Sequence, residues 1–411
     1  LTFAELTIAA VNALLTAIAI VLFIPSFVLF VECVAALLPT HTVQQRSSTH
    51  LDPSIAVLIP AHNEEYGIGA TVSHLRPQLA DRDRLIVVAD NCTDNTATVA
   101  RAAGATVIER QDLSQRGKGY ALDYGVRWLA NDPPDIVLIV DADCLVAPGS
   151  VADLAQLSQA RHRPVQALYL FEVPKPLSAK NAVSTLAVTV KNWVRLAGLK
   201  NLGMPCLLTG TGMAMPWDIV QKAPLASGNI VEDMNLGMDL AIAGSSPLFC
   251  PEARVTSILP QKEQAAKSQR TRWEHGHMQT ITSQVPRLLK TAMQQGRLDL
   301  FVLALDLLVP PLSLLVMLWL LALVIAGGAF WLGLSALPLI MLGITGSLIA
   351  IAILAAWAKY CRHDLPAQTL LSIPLYIVWK IPLYFAFVFK RQKAWVRTER
   401  DIDPQSTSPK V

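Results

Sequence analysis

Residues 135–143 read DIVLIVDAD, and their reading decides the fold. The run from Ile136 to Val140 is uninterrupted and β-favouring, the composition of a strand buried on both faces. It passes directly into Asp141, a one-residue spacer and Asp143. Residues i and i+2 of an extended strand point the same way, so both carboxylates converge if strand conformation persists through them. Paired hard oxygen donors at a strand tip suit Mg²⁺ or Mn²⁺, which bind a few carboxylates and complete their shell with water and phosphate oxygens. A strand followed by an acidic turn is the competing reading, and a D-x-D pair alone does not separate the two.

Further strands lie upstream: IAVLIP from Ile55 to Pro60, RLIVVAD from Arg84 to Asp90, and TVIER from Thr106 to Arg110. Helix-like intervals separate them, and this alternation predicts an α/β fold with a mainly parallel sheet covered by helices on both faces. Open sheets of that kind bind ligands at the carboxyl ends of their strands. The clusters AHNEE, ADNCTD and DADC each follow a strand at that end. Asn63 and Glu64 can equally open a helix, one as cap and the other favourable to its dipole. Asp90 with Asn91, Thr93 and Asp94 can also form a polar turn capping the next helix.

The chain has 411 residues, is 53% hydrophobic and carries a formal charge of +3. It is too apolar for an ordinary soluble protein, and its near-neutral charge gives no reason to expect a nucleic acid partner. Its six cysteines are scattered without C-x-x-C spacing, which suggests neither zinc nor a disulfide framework. The apolar run from Thr7 to Leu38 exceeds the roughly 20 residues that span a bilayer. Glu5 is the only charge before it, so a retained membrane helix, tilted or kinked at Pro25, is expected rather than a signal peptide. Phe301 to Ala358 is long enough for two spans with a break near Gly333 to Pro338. Lys359 and Arg362 follow the second span, and Lys390, Arg391, Lys393, Arg397 and Arg400 close the chain, so these segments and the polar region are placed in the cytoplasm. Leu370 to Phe389, with Lys380 and Pro382 in its middle, reads as an interfacial helix or re-entrant hairpin. Asp306 either lines an acceptor path or sits at the interface ahead of the span.

Six stretches, VLIPAHNEE, VVADNCTDNT, RGKGYALDYG, VDADC, IVEDMNLGMDLAIAG and QRTRW, occur in this order. Together they resemble the membrane-bound inverting family-2 glycosyltransferases, the group that includes cellulose, hyaluronan and poly-N-acetylglucosamine synthases. The resemblance covers roughly residues 54 to 300 and implies a nucleotide-diphospho-sugar transferase-like fold flanked by membrane and interfacial helices. It divides the chain into an N-terminal transmembrane helix (1–40), a cytoplasmic catalytic domain (41–292), C-terminal membrane helices (293–390) and a basic tail (391–411). Pro60, His62, Asn63, Glu64 and Asp90 then look like the nucleoside pocket, and Lys118, between Gly117 and Gly119, like a diphosphate or uracil contact. Asp143, with Asp141, resembles the metal and nucleotide diphosphate site, with Mg²⁺ or Mn²⁺ as cofactor. Asp233, with Glu232, resembles the base of the E-D pair, although an acid pair opening a helix is also what the helix dipole favours. Gln269, Arg272 and Trp273 form the Q-x-x-R-W signature: the arginine suits a diphosphate, the indole a sugar ring. Thr209, Gly210, Thr211 and Gly212, with Leu208, resemble the acceptor-side loop. His275 and His277 could bind metal or be hydrogen-bonded structure.

The implied activity is transfer of a sugar from a nucleotide sugar, a UDP-sugar by preference, to a saccharide or lipid-linked saccharide at a bacterial inner membrane. Partners are then membrane lipid and polysaccharide-assembly proteins. About three spans are fewer than a cellulose synthase has. A polyprenyl-phosphate monoglycosyltransferase is the rival within enzymes, disfavoured by the Q-x-x-R-W signature. An inactive nucleotide-binding scaffold or exporter component is the rival outside them.

Overall fold

A computed structural model of the chain describes residues 2–39, 52–172, 178–228, 231–258 and 263–389. The basic tail and most of the polar linker after the first helix lie outside them. The chain divides into two compact units. One draws on Leu1–His41, Val173–Met204 and Ile281–Arg391, the other on Thr42–Glu172 and Pro205–Thr280. Residues 178–204 group with the N-terminal helix.

The second unit holds an eight-stranded sheet in the order β3-β2-β1-β4-β7-β6-β8-β5. Its strands are β1 Ile55–Ala61, β2 Arg84–Asp90, β3 Thr106–Arg110, β4 Ile136–Ile139, β5 Cys144–Val146, β6 Val165–Phe171, β7 Met213–Pro216 and β8 Leu248–Ser257. β1 pairs in parallel with both β2 and β4, and β2 with β3, so the expected strands form one parallel half. β7 runs antiparallel to β4 and to β6, which makes the whole sheet mixed. Alternate residues of β1 serve opposite cores. Ile55, Val57 and Ile59 pack with Ile68, Val72 and Leu154 on one face, while Ala56 and Leu58 pack with Leu122, Val126 and Leu129 on the other. Continuous apolar strands are what burial on both faces requires. Because β1, β2 and β4 run the same way, the three polar clusters after them reach one edge.

In the first unit, the helices Phe3–Ala35, Leu312–Trp331 and Leu337–Cys361 are long and apolar enough to cross a membrane. Pro25 lies inside the first. The break between the other two contains Gly333 in a left-handed conformation, as expected, and Trp319 Nε1 donates to Leu342 O at 2.8 Å across the pair. Leu298–Leu308 is a separate helix, so Asp306 precedes the span rather than interrupting it. Ile373–Phe389 is one helix containing Pro382, without the chain reversal that a re-entrant hairpin needs. All six cysteines are free thiols.

Three helices of this unit also meet at buried charges. Arg195 Nε donates to Glu32 Oε2 at 2.6 Å, and its Nη2 donates to Asp306 O at 2.6 Å and to Asp306 Oδ1. All three residues are buried, and Glu32 Oε1 and Asp306 Oδ2 take no hydrogen bond. Close approach here needs a glycine: a Cβ on Gly198, one turn after Arg195, would collide with the Glu32 backbone. Removing one member of a buried ion cluster strands the others, at a cost of about 3–5 kcal/mol, whereas replacing the whole cluster by apolar side chains is often neutral. Arg195→Met is therefore expected to lower the thermal midpoint of the detergent-solubilised chain sharply. The triple substitution Glu32→Leu, Arg195→Met, Asp306→Leu should recover most of that loss, and a single variant as stable as wild type would contradict the cluster's role.

Candidate functional site

The turn after β1 is fastened to the end of β2. His62 Nδ1 lies 2.7 Å from Asp90 O, Asn63 Oδ1 accepts from Thr93 N at 2.7 Å, and Glu64 N donates to Thr96 Oγ1 at 2.7 Å. Asn63 adopts a left-handed conformation, φ 55°, which asparagine tolerates better than most residues. It does not cap the following helix, Ile68–Leu75, whose N-cap is Gly67. Pro60 is the penultimate residue of β1, opposite Val88. After β2, Asp94 Oδ1 accepts from Thr96 N at 3.0 Å, while the N-cap of the following helix, Thr96–Ala102, is Asn95. Asp90 has another partner: Arg110 Nη1 donates to its Oδ1 at 2.6 Å. The two are register neighbours at the ends of β2 and β3.

β4 stops at Ile139, so the extended conformation does not continue through the D-x-D acids. The carboxylates converge by a turn instead, closed by Cys144 N donating to Asp141 O at 3.2 Å. One ligand atom each from Asp141, Asp143 and Cys144 lies within 4.8 Å of the others. Among the described residues this is the group with metal-ligand spacing, and it contains neither His275 nor His277, both of which are buried. Burial pushes the Cys144 thiol well above its usual range. The two carboxylates are a donor set that fits a hard divalent cation.

Lys118 ties this corner together. It opens the helix Lys118–Leu129 behind Gly117, whose φ of 127° suits glycine alone. Its Nζ lies 2.5 Å from Asp141 Oδ1, donates to Gly210 O at 2.5 Å and stands 3.9 Å from Glu232 Oε1. Burial opposes the charge, but Asp141 and Glu232 outweigh it and hold the ammonium above its usual range. Burial raises the Asp141 carboxyl despite Lys118, with Asp143 adding to the effect. It also pushes Glu232 up to about 7 against the pull of Lys118.

Glu232 and Asp233 occupy the first turn of the helix Glu232–Ile242. Asp233 Oδ2 is 3.1 Å from where a Cβ on Gly210 would stand, so a side chain there would crowd the acid. Gly210 also has φ 95°. The loop holding Thr209, Gly210 and Thr211 is organised from beneath by Gln166 on β6, fully buried. Its Oε1 accepts from Thr209 N at 2.8 Å and its Nε2 donates to Thr211 O at 2.9 Å. Thr211 Oγ1 in turn accepts from Asp141 N at 3.1 Å. A cavity borders this group, lined by Lys118, Gly119, Ser227, Glu232 and Asp233 among others.

Gln269, Arg272 and Trp273 lie half-buried on the helix Glu263–Gln295. Trp273 stacks on Phe171 at the end of β6, with ring centroids 5.5 Å apart and planes at 17°. Tyr169 meets Phe171 edge-on at 5.2 Å and shares a 2.8 Å hydrogen bond with Ser257 Oγ. Lys118, Asp141, Asp143, Asp233, Glu232 and the Thr209–Thr211 loop are thus brought together, while Trp273 joins an aromatic group on β6. Sequence reading missed Arg110, Gln166 and Phe171. Arg110 had a signal, since an arginine closing one parallel strand beside an aspartate closing the next invites pairing; Gln166 and Phe171 had none.

Residues 53–276, more than half of the chain, match the family described as Glycosyltransferase like family 2. A probable glycosyltransferase of Bacillus subtilis, YdaM, is 25% identical over 61% of this chain and 61% of its own length. The glucosyl-3-phosphoglycerate synthase of Mycolicibacterium smegmatis is 35% identical over 26% of this chain and 36% of its own. The chain thus spans less than two thirds of either relative. A mannosyltransferase from Pyrobaculum calidifontis, solved with GDP-Man and Mn²⁺, superposes with a TM-score of 0.53 at 17% identity, over 92% of this chain and all of that one, a likeness of fold.

Replacing Gln166 by leucine would strand the Thr209 N–H and the Thr211 carbonyl in the interior, at about 1–3 kcal/mol for each group. Gln166→Leu is expected to lower the unfolding midpoint accordingly, measured by thermal or denaturant melts. An unchanged midpoint would mean that the loop holds itself.

Proposed function

Because the chain belongs to the glycosyltransferase-like family 2, we propose that it is a membrane-anchored inverting hexosyltransferase. It moves a sugar from a UDP-sugar to a hydroxyl of a saccharide or lipid-linked saccharide in bacterial polysaccharide assembly. The observation that carries this reading is the gathering of acids from separate elements, the β4–β5 turn and the first turn of the helix Glu232–Ile242, around Lys118. The three long apolar helices would serve as the anchor, and the basic residues after the last of them favour a cytoplasmic catalytic unit at an inner membrane.

Asp233 is the general base. An acceptor hydroxyl attacks poorly until its proton has somewhere to go. As the acceptor oxygen bonds to the anomeric carbon, that proton passes to the Asp233 carboxylate. The bond from the same carbon to the diphosphate oxygen breaks, and its electron pair leaves with the nucleoside diphosphate. Attack from the face opposite the leaving group inverts the centre. Gly210 leaves room for Asp233, and Glu232 precedes it in the same helical turn. Asp141 and Asp143 would hold Mg²⁺ or Mn²⁺, which supplies Lewis-acid neutralisation of the diphosphate. Lys118 adds a cation on the same side, and Pro60, His62, Asn63, Glu64 and Asp90 form the nucleoside pocket.

Trp273, Thr209 and Gly210 face the acceptor, and Gln269 and Arg272 face the diphosphate; Thr211, expected beside them, is fully buried and braces Asp141 from beneath instead. Since Phe171 covers one face of the Trp273 indole, the opposite face is the one for a sugar ring. The Q-x-x-R-W signature supports an elongating active site.

Asp233→Asn is expected to cut sugar transfer by about 10²–10⁴-fold while leaving nucleotide binding in place. Asp143→Asn, or treatment of wild type with EDTA, should abolish both turnover and Mn²⁺-dependent UDP binding. Released UDP scored across a panel of UDP-sugars, with calorimetry for binding, checks both. Full turnover by Asp143→Asn would sink the metal assignment, and full turnover by Asp233→Asn the choice of base.

A further inference from the structure

The turn that carries Asp141 and Asp143 ends on a third side chain able to hold a metal. Cys144 Sγ donates to Asp143 Oδ1 at 3.7 Å, and one ligand atom from each of the three residues lies within 4.8 Å of the other two. Among the described residues no other cysteine joins a group with metal-ligand spacing.

Backbone holds the thiol in this place. Cys144 opens β5 in register with Ser257 of β8, and its N–H closes the turn onto Asp141 O at 3.2 Å. Asp141 N is itself tied to Thr211 Oγ1 at 3.1 Å. Cys144 is buried whereas both aspartates are partly exposed, so the oxygens are the side open to an entering ion and the sulfur lies behind them. Zinc bonds of about 2.3 Å to sulfur and about 2.0–2.2 Å to carboxylate oxygen, at tetrahedral angles, set sulfur and oxygen about 3.5 Å apart. The 3.7 Å separation of Cys144 Sγ and Asp143 Oδ1 meets that with little movement. Hardness then decides which ion uses the sulfur. Mg²⁺ and Mn²⁺ favour oxygen ligands, while thiolate selects softer ions such as Zn²⁺.

We propose that Cys144 is a third ligand for soft and borderline divalent ions, so that Zn²⁺ or Cd²⁺ binds at Asp141, Asp143 and Cys144, displaces Mn²⁺ and inhibits the enzyme. The inference rests on the reading of the two aspartates as metal ligands. On binding, the S–H bond breaks, its electron pair becomes the metal–sulfur bond and the proton leaves to solvent, a loss that a coordinated divalent charge drives outright. No oxidation state changes. A four-coordinate ion on three protein ligands has one position left for a diphosphate, whereas a six-coordinate ion on two carboxylates keeps several. The same turn thus accepts a hard ion in an open arrangement and a soft one in a nearly closed arrangement.

The test is spectroscopic, on the detergent-solubilised chain with Co²⁺ as the probe. Wild type should show a sulfur-to-cobalt charge-transfer band in the near ultraviolet, which Cys144→Ser and Asp143→Asn each remove. In competition titrations Cys144→Ser should weaken Zn²⁺ and Cd²⁺ by about tenfold or more and leave Mn²⁺ within about threefold, a split that a thiol serving only to pack the core would not produce. Inhibition of Mn²⁺-supported UDP release by Cd²⁺ should ease in parallel. Wild type that binds Mn²⁺ and Co²⁺ without the band would overturn the inference while leaving the hard-ion site standing, and that result does not depend on how any variant folds. A band that survives Cys144→Ser, or a variant that loses Mn²⁺ as fully as Cd²⁺, would overturn the role of Cys144. Failure of wild type to bind any of these ions would overturn the metal reading, and the inference with it.

Discussion

Four carboxylates cannot share one corner of a protein without a compensating charge. Their mutual repulsion and the loss of water would drive protons onto them or the chain apart. In this fold the compensation is Lys118, which touches Asp141, approaches Glu232 and donates to Gly210. Its position follows from the backbone. Gly117 in a positive-φ conformation starts the helix, and a Cβ on Gly119 would meet the Leu225 and Ser227 backbone, so only glycines let this segment lie where it does. A lysine suits the task because it is a compact point charge that several acids can approach at once, whereas a planar guanidinium would commit to one.

The sheet topology makes that corner possible. Parallel strands deliver their C-terminal turns to one edge, and the switch to antiparallel pairing at β7 brings in the Thr209–Thr211 loop beside them. The buried Gln166 does for this loop what the strand ladder cannot, supplying hydrogen bonds to backbone that leaves the sheet. Packing on both faces holds the strand tips at fixed separation, so the acids are placed by the rigid part of the fold.

Much of this was legible in the sequence because the signals are local. Continuous apolar runs ending in acids or amides mark strands whose tips face ligand, and the parallel half of the sheet follows from their spacing. The D-x-D acids converge as expected, but through a turn, since two carboxylates and Lys118 favour leaving the ladder over continuing it. What escaped was long-range. Glu32 and Arg195 are 163 residues apart, and Arg195 and Asp306 a further 111, so no window shows them as partners. The same holds for Phe171 beneath Trp273, whose pairing depends on where a helix lands and not on any pattern in either segment.

The interleaving of the two units has a practical consequence. The strand β6 leads out into residues that fold with the N-terminal helix, and the chain re-enters the sheet unit only at Pro205. Trimming both ends to obtain a water-soluble fragment would retain Arg195 while discarding Glu32 and Asp306. A guanidinium shaped for burial between two acids would then stand without either, in a segment whose apolar neighbours had gone with them. Excision calls for an internal deletion spliced between residues 172 and 205, not for shortening at the termini.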